Sequence, residues 1–474
     1  MALKSVKGLF GGTFMAELFH SNRKAKLDVD TLRSEVERGD IDTVIVAFTD
    51  MQGRLSGKKI SANFFISDVL THGTEGCNYL LAVDVDMNTV KGYSISSWER
   101  GYGDMVIRPD LSTLRYIPWQ TNTAMVQADL LFEDGSPVRP SPRQILGSQI
   151  ERLDAKGLEA FVGTELEFIV FEDTYEEAWD KAYRNLTPSN RYNVDYSLMG
   201  VTKVDKLLRD IRISMEGASM VAESVKGECN LGQHEIAFKY TSAMRTCDNH
   251  VVYKLGAKEI ASQHGKAITF MAKYNEREGS SCHTHLSVRD KSGGLTMVSA
   301  ENPHELSAFG RSFIAGQLKH MAELTVFMAP NINSYKRFVE GSFAPTALAW
   351  GNDNRTCAIR LVGSGSSLRF ENRVPGGDAN PYLLVAAMIA AGLEGVEKGY
   401  ELEDEFIGNA YASDKPRIPS TLQDARRALA KSDLARRAFG DDVVEHYLNM
   451  ADVEIAQFNA AVTDWERFRS FERM

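Results

Sequence analysis

Residues 163–168 read GTELEF, and the segment continues to Phe171 with acidic and apolar side chains alternating from Glu165 to Phe168. A period of two belongs to a β-strand, so Glu165 and Glu167 share one face while Leu166 and Phe168 share the other. Two residues of rise place the two carboxylates about 6.6 Å apart. That spacing is wide for two acids sharing one proton and suits two acids that each hold a cation. Taken alone, the pattern fits a solvated strand face equally well.

Three further segments carry the same kind of chemistry. ESVKGECNLGQHEIAFKY (223–240) gathers Glu223, Glu228 and Glu235 around Gly232, which predicts a tight turn or a close backbone approach. In EGSSCHTHLS (278–287) His283, His285 and Ser287 alternate onto one face, and in LRFENRVPGGDANPY (368–382) Arg369, Glu371 and Arg373 do the same. Carboxylate oxygens with one or two imidazoles and no thiolate array suit Mg²⁺ or Mn²⁺ better than Zn²⁺. Arginines beside such acids suit an anionic substrate or a phosphoryl group in transfer. GSGSS at 363–367 lacks the lysine of a P-loop, and there is no dinucleotide fingerprint, so a nucleotide would be held by another device.

Along the chain, residues 28–39 predict a short helix stopped by Gly39, followed by a hairpin of DTVIVAFTD and LSGKKIS. EDGSPVRPSP (133–142), with three prolines, reads as a linker, and Ser141-Pro142 as the start of a helix running to Gly157. LLVAAMIAAGL (383–393) is half a membrane span and reads as a buried helix. From about residue 420 the chain reads as an amphipathic helical tail. The expected organisation is an extension over 1–27, a small sheet-rich unit over 28–132 and a large α+β domain over 133–474.

A formal charge of −10 argues against a nucleic-acid partner, which would call for a basic face. Five cysteines (77, 229, 247, 282 and 357) are odd in number and form no CxxC pair, so a reducing cytoplasm is the expected location. The N-terminal LFGGTFMAELF is short and broken by Glu17, which does not suit a signal peptide.

GTELEF, the glutamates ahead of GQHE, GSSCHTHLS, NSYKRF…AP, NRTCAIR and RFENRVPGGDANPY occur in the order found in the glutamine synthetase family, which the chain resembles from about residue 28 onward. The resemblance implies an α+β fold with a small β-grasp-like N-terminal domain and a catalytic domain built on a curved antiparallel sheet. It further implies a dodecamer of two stacked hexameric rings, with active sites between subunits. Glu167, Glu228 and Glu235 match the ligands of a metal near glutamate, and Glu165, His283 and Glu371 those of a metal that grips the phosphates of ATP. Glu223, His285, Ser287 and Arg360 fall at nucleotide positions. Gly279, Arg337 and Arg373 fall at positions for the glutamate carboxylates and the phosphate, and Arg355 at that of an arginine that contacts ATP and stabilises phosphoryl transfer. The implied reaction makes γ-glutamyl phosphate from glutamate and ATP, then lets an amine displace phosphate, with two or more Mg²⁺ or Mn²⁺ ions per site.

The departures from the family pattern concern the amine. Phe343 stands where glutamine synthetases carry a flap glutamate, LLAVDVDMN replaces the ammonium-site loop with Asp84 as its aspartate, and Glu278 replaces an asparagine before Gly279. These features are similar to the γ-glutamylamine ligase branch, which uses putrescine, other polyamines, ethanolamine or monoamines. Asp84, Tyr196 and Phe343 are then the expected amine pocket, and Arg355, Arg373 and Glu228 the expected catalytic groups, with Asp84 and Glu340 as other candidate bases. A phenylalanine ring can still face an ammonium group by cation–π attraction, so an ammonia-using synthetase is the alternative. An inactive homologue would show damaged metal positions, and all six are present.

Overall fold

The computed structural model describes residues 27–474, so the extension expected at 1–27 lies almost wholly outside the described residues. The first helix, Val29–Arg38, begins where the Asp28 carboxylate accepts the Thr31 amide at 2.8 Å, and ends at Gly39 with φ +79°. Both ends are those that the sequence indicates, an acceptor side chain before the first turn and a left-handed glycine after the last.

Six strands follow: β1 (Thr43–Thr49), β2 (Leu55–Ser61), β3 (Thr74–Cys77), β4 (Asp104–Pro109), β5 (Arg115–Tyr116) and β6 (Thr123–Leu131). They form a sheet in the order β2-β1-β6-β4-β3, with β5 on β6. β1 and β2 are the expected antiparallel hairpin, and β1 runs parallel to β6, which gives the mixed, β-grasp-like arrangement.

The second sheet has nine strands: β7 (Leu158–Phe171), β8 (Ala222–Gly227), β9 (Gln233–Phe238), β10 (Thr241–Ser242), β11 (Ala267–Thr269), β12 (Cys282–Asp290), β13 (Trp350–Asn352), β14 (Ile359–Val362) and β15 (Arg369–Asn372). Its order is β13-β14-β15-β12-β7-β9-β8, antiparallel except for β13 with β14, and β10 and β11 also pair with β7. The fourteen-residue β7 changes partners along its length. Residues 158–166 pair with β12, whereas 167–169 pair with β9 and 169–171 with β11. A strand that serves two sets of neighbours must bend between them, so the sheet curls at Leu166 and Glu167.

Helices cover the outer side of the curled sheet. Pro381–Lys398 is capped by Asn380 and buried from Pro381 to Gly395, as its unbroken apolar sequence predicts. It lies close against Ala308–Leu324, where a Cβ on Gly316 would sit 2.1 Å from the Ala391 carbonyl oxygen, an approach open only to glycine. The helix opened by Pro142 ends at Asp154, three residues short of the Gly157 expected from sequence. The tail expected from residue 420 is a series of helices, Leu422–Ala430, Asp433–Phe439, Asp441–Ala460 and Asp464–Ser470. No helix among the described residues is long and apolar enough to cross a membrane.

One hydrophobic core runs through both sheets. A buried ionic network crosses between them. Arg143, 5 % exposed at its side chain, contacts Asp110 (2.5 Å), Asp129 (2.7 Å) and Asp248 (3.1 Å), and the Tyr382 hydroxyl donates to Asp248 at 2.7 Å. Several carboxylates around one guanidinium offset the cost of burying it, which a single pair would not.

Candidate active site

The curled sheet arranges the acid-bearing strands so that their polar faces form one stripe. Across the ladders Arg360 lies opposite Glu371, Glu371 opposite His285, His283 opposite Glu165, Glu167 opposite Glu235, and Glu235 opposite Lys226. Directly opposed residues in a sheet have Cβ atoms about 5 Å apart, so register alone brings these groups within reach of one another. Glu371 is fully buried, Glu167 and Glu235 nearly so, and Glu165 and Glu228 half-buried.

Ligand atoms of Glu167, Glu228 and Glu235 lie within 4.8 Å of one another. The Glu167 carboxylate is oriented by the Ser281 amide (2.8 Å), the Ser281 hydroxyl (2.5 Å) and Gln233 Nε2 (3.1 Å). Burial, and then the charge of Glu165, push the Glu235 carboxyl up to about 8. Three carboxylates packed this closely and partly forced to hold protons are a donor set that a hard divalent cation fits.

In a second cluster the ligand atoms that lie within 4.8 Å of one another are those of Glu165, His285 and Glu371, and the expected ligand His283 lies beside them. Arg369 Nε donates to His285 Nδ1 at 3.2 Å, so the other nitrogen, Nε2, carries the proton it donates to Glu165 at 2.9 Å. His285 is thereby committed as a donor. His283 is not: its Nδ1 faces Glu165 at 3.6 Å and Glu371 at 3.5 Å, beyond a good hydrogen bond, and its Nε2 is buried without a partner. Its pKa is lowered by burial and by the Arg373 cation. A neutral imidazole between two carboxylates fits a cation. Burial would raise the Glu371 carboxyl, but the charges around it, that of Arg373 among them, outweigh burial and hold it below the usual range.

Two cavities meet at Glu165. One, of about 370 Å³, is lined by Glu223, His285 and Ser287 together with Tyr240, Arg289 and Arg369. The other, of about 360 Å³, holds Glu167, Glu228, Glu235 and His283 at its floor and Gly279, Arg337 and Arg373 on one wall. Arg355 and Arg360 line this second cavity and not the one with the other expected nucleotide positions. Arg360 Nη1 donates to Glu371 at 2.9 Å, and Arg337 donates to the carbonyls of Val374 (2.8 Å) and Arg373 (3.0 Å).

Tyr196 (73 % exposed) and Phe343 (55 % exposed) also line this second cavity. Asp84 does not reach it. The carboxylate of Asp84 instead organises its own turn, accepting from the amides of Asp86 (3.0 Å) and Asn88 (2.8 Å), and from Gln457 Nε2 (2.8 Å) on the helix Asp441–Ala460. Glu340 is exposed and does not line the cavity. Sequence reasoning missed Lys226, Ser281 and Arg289, and it placed Arg369 on the face of Glu371 without giving it a role. Lys226 and Ser281 were open to the period-two rule, since Lys226 stands two residues before Glu228 and Ser281 two before His283.

Residues 139–470 match the glutamine synthetase catalytic domain. The chain belongs to the glutamine synthetase family. It is 60 % identical, over 96 % of its length and 98 % of the relative's, to the γ-glutamylethanolamide synthetase GlnA4 of Streptomyces coelicolor. It is 36 % identical to a glutamate–isopropylamine ligase of a Pseudomonas species, over 94 % of this chain and 98 % of that one. Among solved structures, a GmaS/ADP complex superposes with a TM-score of 0.82 at 26 % identity, covering 93 % of this chain and 99 % of that chain. The chain is accordingly a ligase of the glutamate–amine class that depends on ATP and a divalent metal.

Gly279 offers a test of whether Arg337 and Arg373 bind glutamate, as the resemblance implies. A Cβ there would lie 2.4 Å from the Ala272 carbonyl oxygen and 2.8 Å from Arg337 Cγ. Gly279→Ala is expected to raise the KM for glutamate about 10-fold or more by displacing Arg337, with the KM for ATP unchanged. Steady-state kinetics with each substrate varied in turn would check this, and equal changes in both constants would count against the assignment.

Proposed function

We propose that the chain joins the γ-carboxylate of glutamate to a small organic amine with an uncharged tail, of which ethanolamine is the leading candidate. The observation that carries this reading is that Phe343 and Tyr196 line the second cavity with exposed aromatic rings. An aromatic wall favours a carbon chain, whereas bare ammonium gains most from a compact ring of acids. The names of the relatives, a γ-glutamylethanolamide synthetase and a glutamate–isopropylamine ligase, support it.

In this reading Glu167, Glu228 and Glu235 would hold one Mg²⁺ or Mn²⁺ ion, and Glu165, Glu371 and His283 would hold another, with His285 kept as a donor by Arg369. When bound, the ions neutralise negative charge on the phosphates of ATP and on the γ-carboxylate. Glu223, His285 and Ser287 bind ATP in the first cavity, with Arg355 and Arg360 reaching its phosphates from the second. Arg337, Arg373 and the Gly279 loop hold glutamate with its γ-carboxylate towards the junction at Glu165.

A carboxylate cannot acylate an amine directly, because oxide would have to leave. A γ-carboxylate oxygen therefore attacks the γ-phosphorus, forming an O–P bond as the bond to ADP breaks, and Arg355 and Arg373 offset the charge that develops. An alkylamine is cationic at neutral pH and must lose a proton before its nitrogen can attack the acyl phosphate. Glu228, at the amine end, takes that proton. The C–N bond then forms, the C–O bond to phosphate breaks, and inorganic phosphate leaves.

The chain acts in this reading as a dodecamer of two hexameric rings. Asp84, turned away from the cavity of its own chain, would reach an amine site only from a neighbouring copy. Particle mass in solution checks the assembly.

The deciding experiment measures phosphate release from ATP and glutamate with ammonia, methylamine, isopropylamine, ethanolamine, putrescine and spermidine. Ethanolamine is expected to give the highest kcat/KM. Turnover supported by ammonia alone would overturn the organic-amine reading. Phe343→Glu is expected to shift the ratio of ammonia to ethanolamine about 10-fold towards ammonia, and an unchanged ratio would remove Phe343 from the pocket.

A further inference from the structure

Lys226 is a cation in the wall of the second cavity for which the phosphoryl-transfer chemistry has no use. It lies on β8, the edge strand of the curled sheet, directly opposite Glu235 in the ladder. Its ammonium group contacts the Glu228 carboxylate, lies 3.6 Å from Glu235 Oε1 and stands 5.4 Å from the centre of the Tyr196 ring. The side chain is 26 % exposed, so the charge faces the cavity and is not lost to bulk solvent.

Lys226 and Tyr196 are thus neighbours in the wall of one cavity, which Phe343 also lines. Two of the three are aromatic rings, and the third is a lysine ammonium group. An amine bound with its reacting nitrogen at Glu228 must lay its tail along this wall. A hydroxyl or alkyl tail meets the rings without penalty, whereas a second ammonium group is brought near the Lys226 cation. Exposed Asp195 also lines this end and offsets part of the repulsion. Glu228 and Glu235 face Lys226, but in the proposed function they would hold a divalent cation, which would take up their charge and leave the repulsion by Lys226 in place.

We propose that Lys226 is a specificity-determining residue that rejects amines with a second positive charge and confines the enzyme to amines with a neutral tail. The proposal rests on the assignment of the second cavity to the amine and glutamate. Two like charges about 5 Å apart in a partly solvated cavity repel strongly enough to discriminate by about 10- to 100-fold.

The test compares putrescine with 4-amino-1-butanol, which have nearly the same length and differ in one charge. The readout is the ratio of kcat/KM for the alcohol to that for the diamine, measured on wild type, Lys226→Met and Lys226→Arg. Because both substrates are run on one preparation, a loss of folded protein or of metal cancels from the ratio. The ratio is expected to be large in wild type, to fall about 10-fold or more in Lys226→Met, and to be retained in Lys226→Arg. The ratio of n-propylamine to ethanolamine, neither of which has a charged tail, is expected to stay the same in all three proteins. An equal alcohol-to-diamine ratio in wild type and Lys226→Met overturns the proposal. Should ammonia alone support turnover, the organic-amine reading fails by itself. The two amines are then run as inhibitors of the ammonia reaction, and equal inhibition ratios in wild type and Lys226→Met would again overturn the role of Lys226.

Discussion

Glu371→Gln is expected to lower turnover by about 1000-fold and to cost about 3–5 kcal/mol of stability. The side chain is fully buried and is the shared acceptor for Arg360, at 2.9 Å, and Arg373. Glutamine keeps the volume but supplies one acceptor oxygen and no charge. Arg373, 4 % exposed at its side chain, would then be a buried cation without its anion. The same substitution removes one of the two carboxylates that face His283 Nδ1. Glu371→Asp separates the two effects, since it keeps the charge but withdraws it by one carbon. That variant is expected to recover most of the stability and little of the turnover. Urea midpoints and phosphate release over a range of divalent-cation concentrations check both, and turnover of Glu371→Gln within 10-fold of wild type would sink the assignment.

Stability is expected to fall steeply as pH drops from 6.5 towards 4. Burial lowers the pKa of His234 to about 4 and those of His250 and His446 to about 3. Each is enclosed: His250 against Thr164 Oγ1 (3.1 Å), His446 against the Tyr93 ring (4.5 Å between centroids) and His234 beside Phe168. A group whose folded pKa is depressed stays neutral in the native chain while its unfolded counterpart binds a proton. The stability it contributes is thus present above the unfolded value, near 6.5, and lost as pH falls. Nearly three protons taken up on unfolding correspond to a slope of about 4 kcal/mol per pH unit. Glu235 works in the opposite sense. Its folded pKa is raised to about 8, so without a divalent cation the native state already holds one proton in this window. The slope is therefore expected to be shallower by about one proton in EDTA than with saturating Mg²⁺. Denaturation midpoints between pH 7.5 and 5 in both buffers check this, and equal slopes would exclude Glu235 from the metal site.

The sequence revealed the faces of strands far better than their neighbours. Alternation placed Glu165 with Glu167, His283 with His285 and Glu371 with Arg373, and each pair faces the cavities or the clusters between them. Which strand pairs with which is a non-local matter: β7, β12 and β15 come together from residues 158–171, 282–290 and 369–372. The period of two places Lys226 on the face of Glu228, but only the ladder sets it opposite Glu235. The two histidines are equivalent under a period of two, and only the bond from Arg369 across the ladder tells them apart. Asp84 shows the limit of motif matching. Its side chain accepts from the amides of its own turn and does not line the cavity that holds Tyr196 and Phe343.

The change of partners within β7 has a consequence for how such an enzyme can change its acceptor. Glu165 and Glu167 lie on either side of the point where β12 gives way to β9, so sliding β7 by one residue would replace both acids with Leu166 and Phe168. The two acids are therefore held in register as a unit by the central ladders. Tyr196 and Phe343 sit outside the strands and Lys226 on an edge strand, so their side chains can be exchanged while every central ladder stays in register. A lineage is therefore free to vary the nucleophile it accepts while the acyl phosphate continues to be made in the same way.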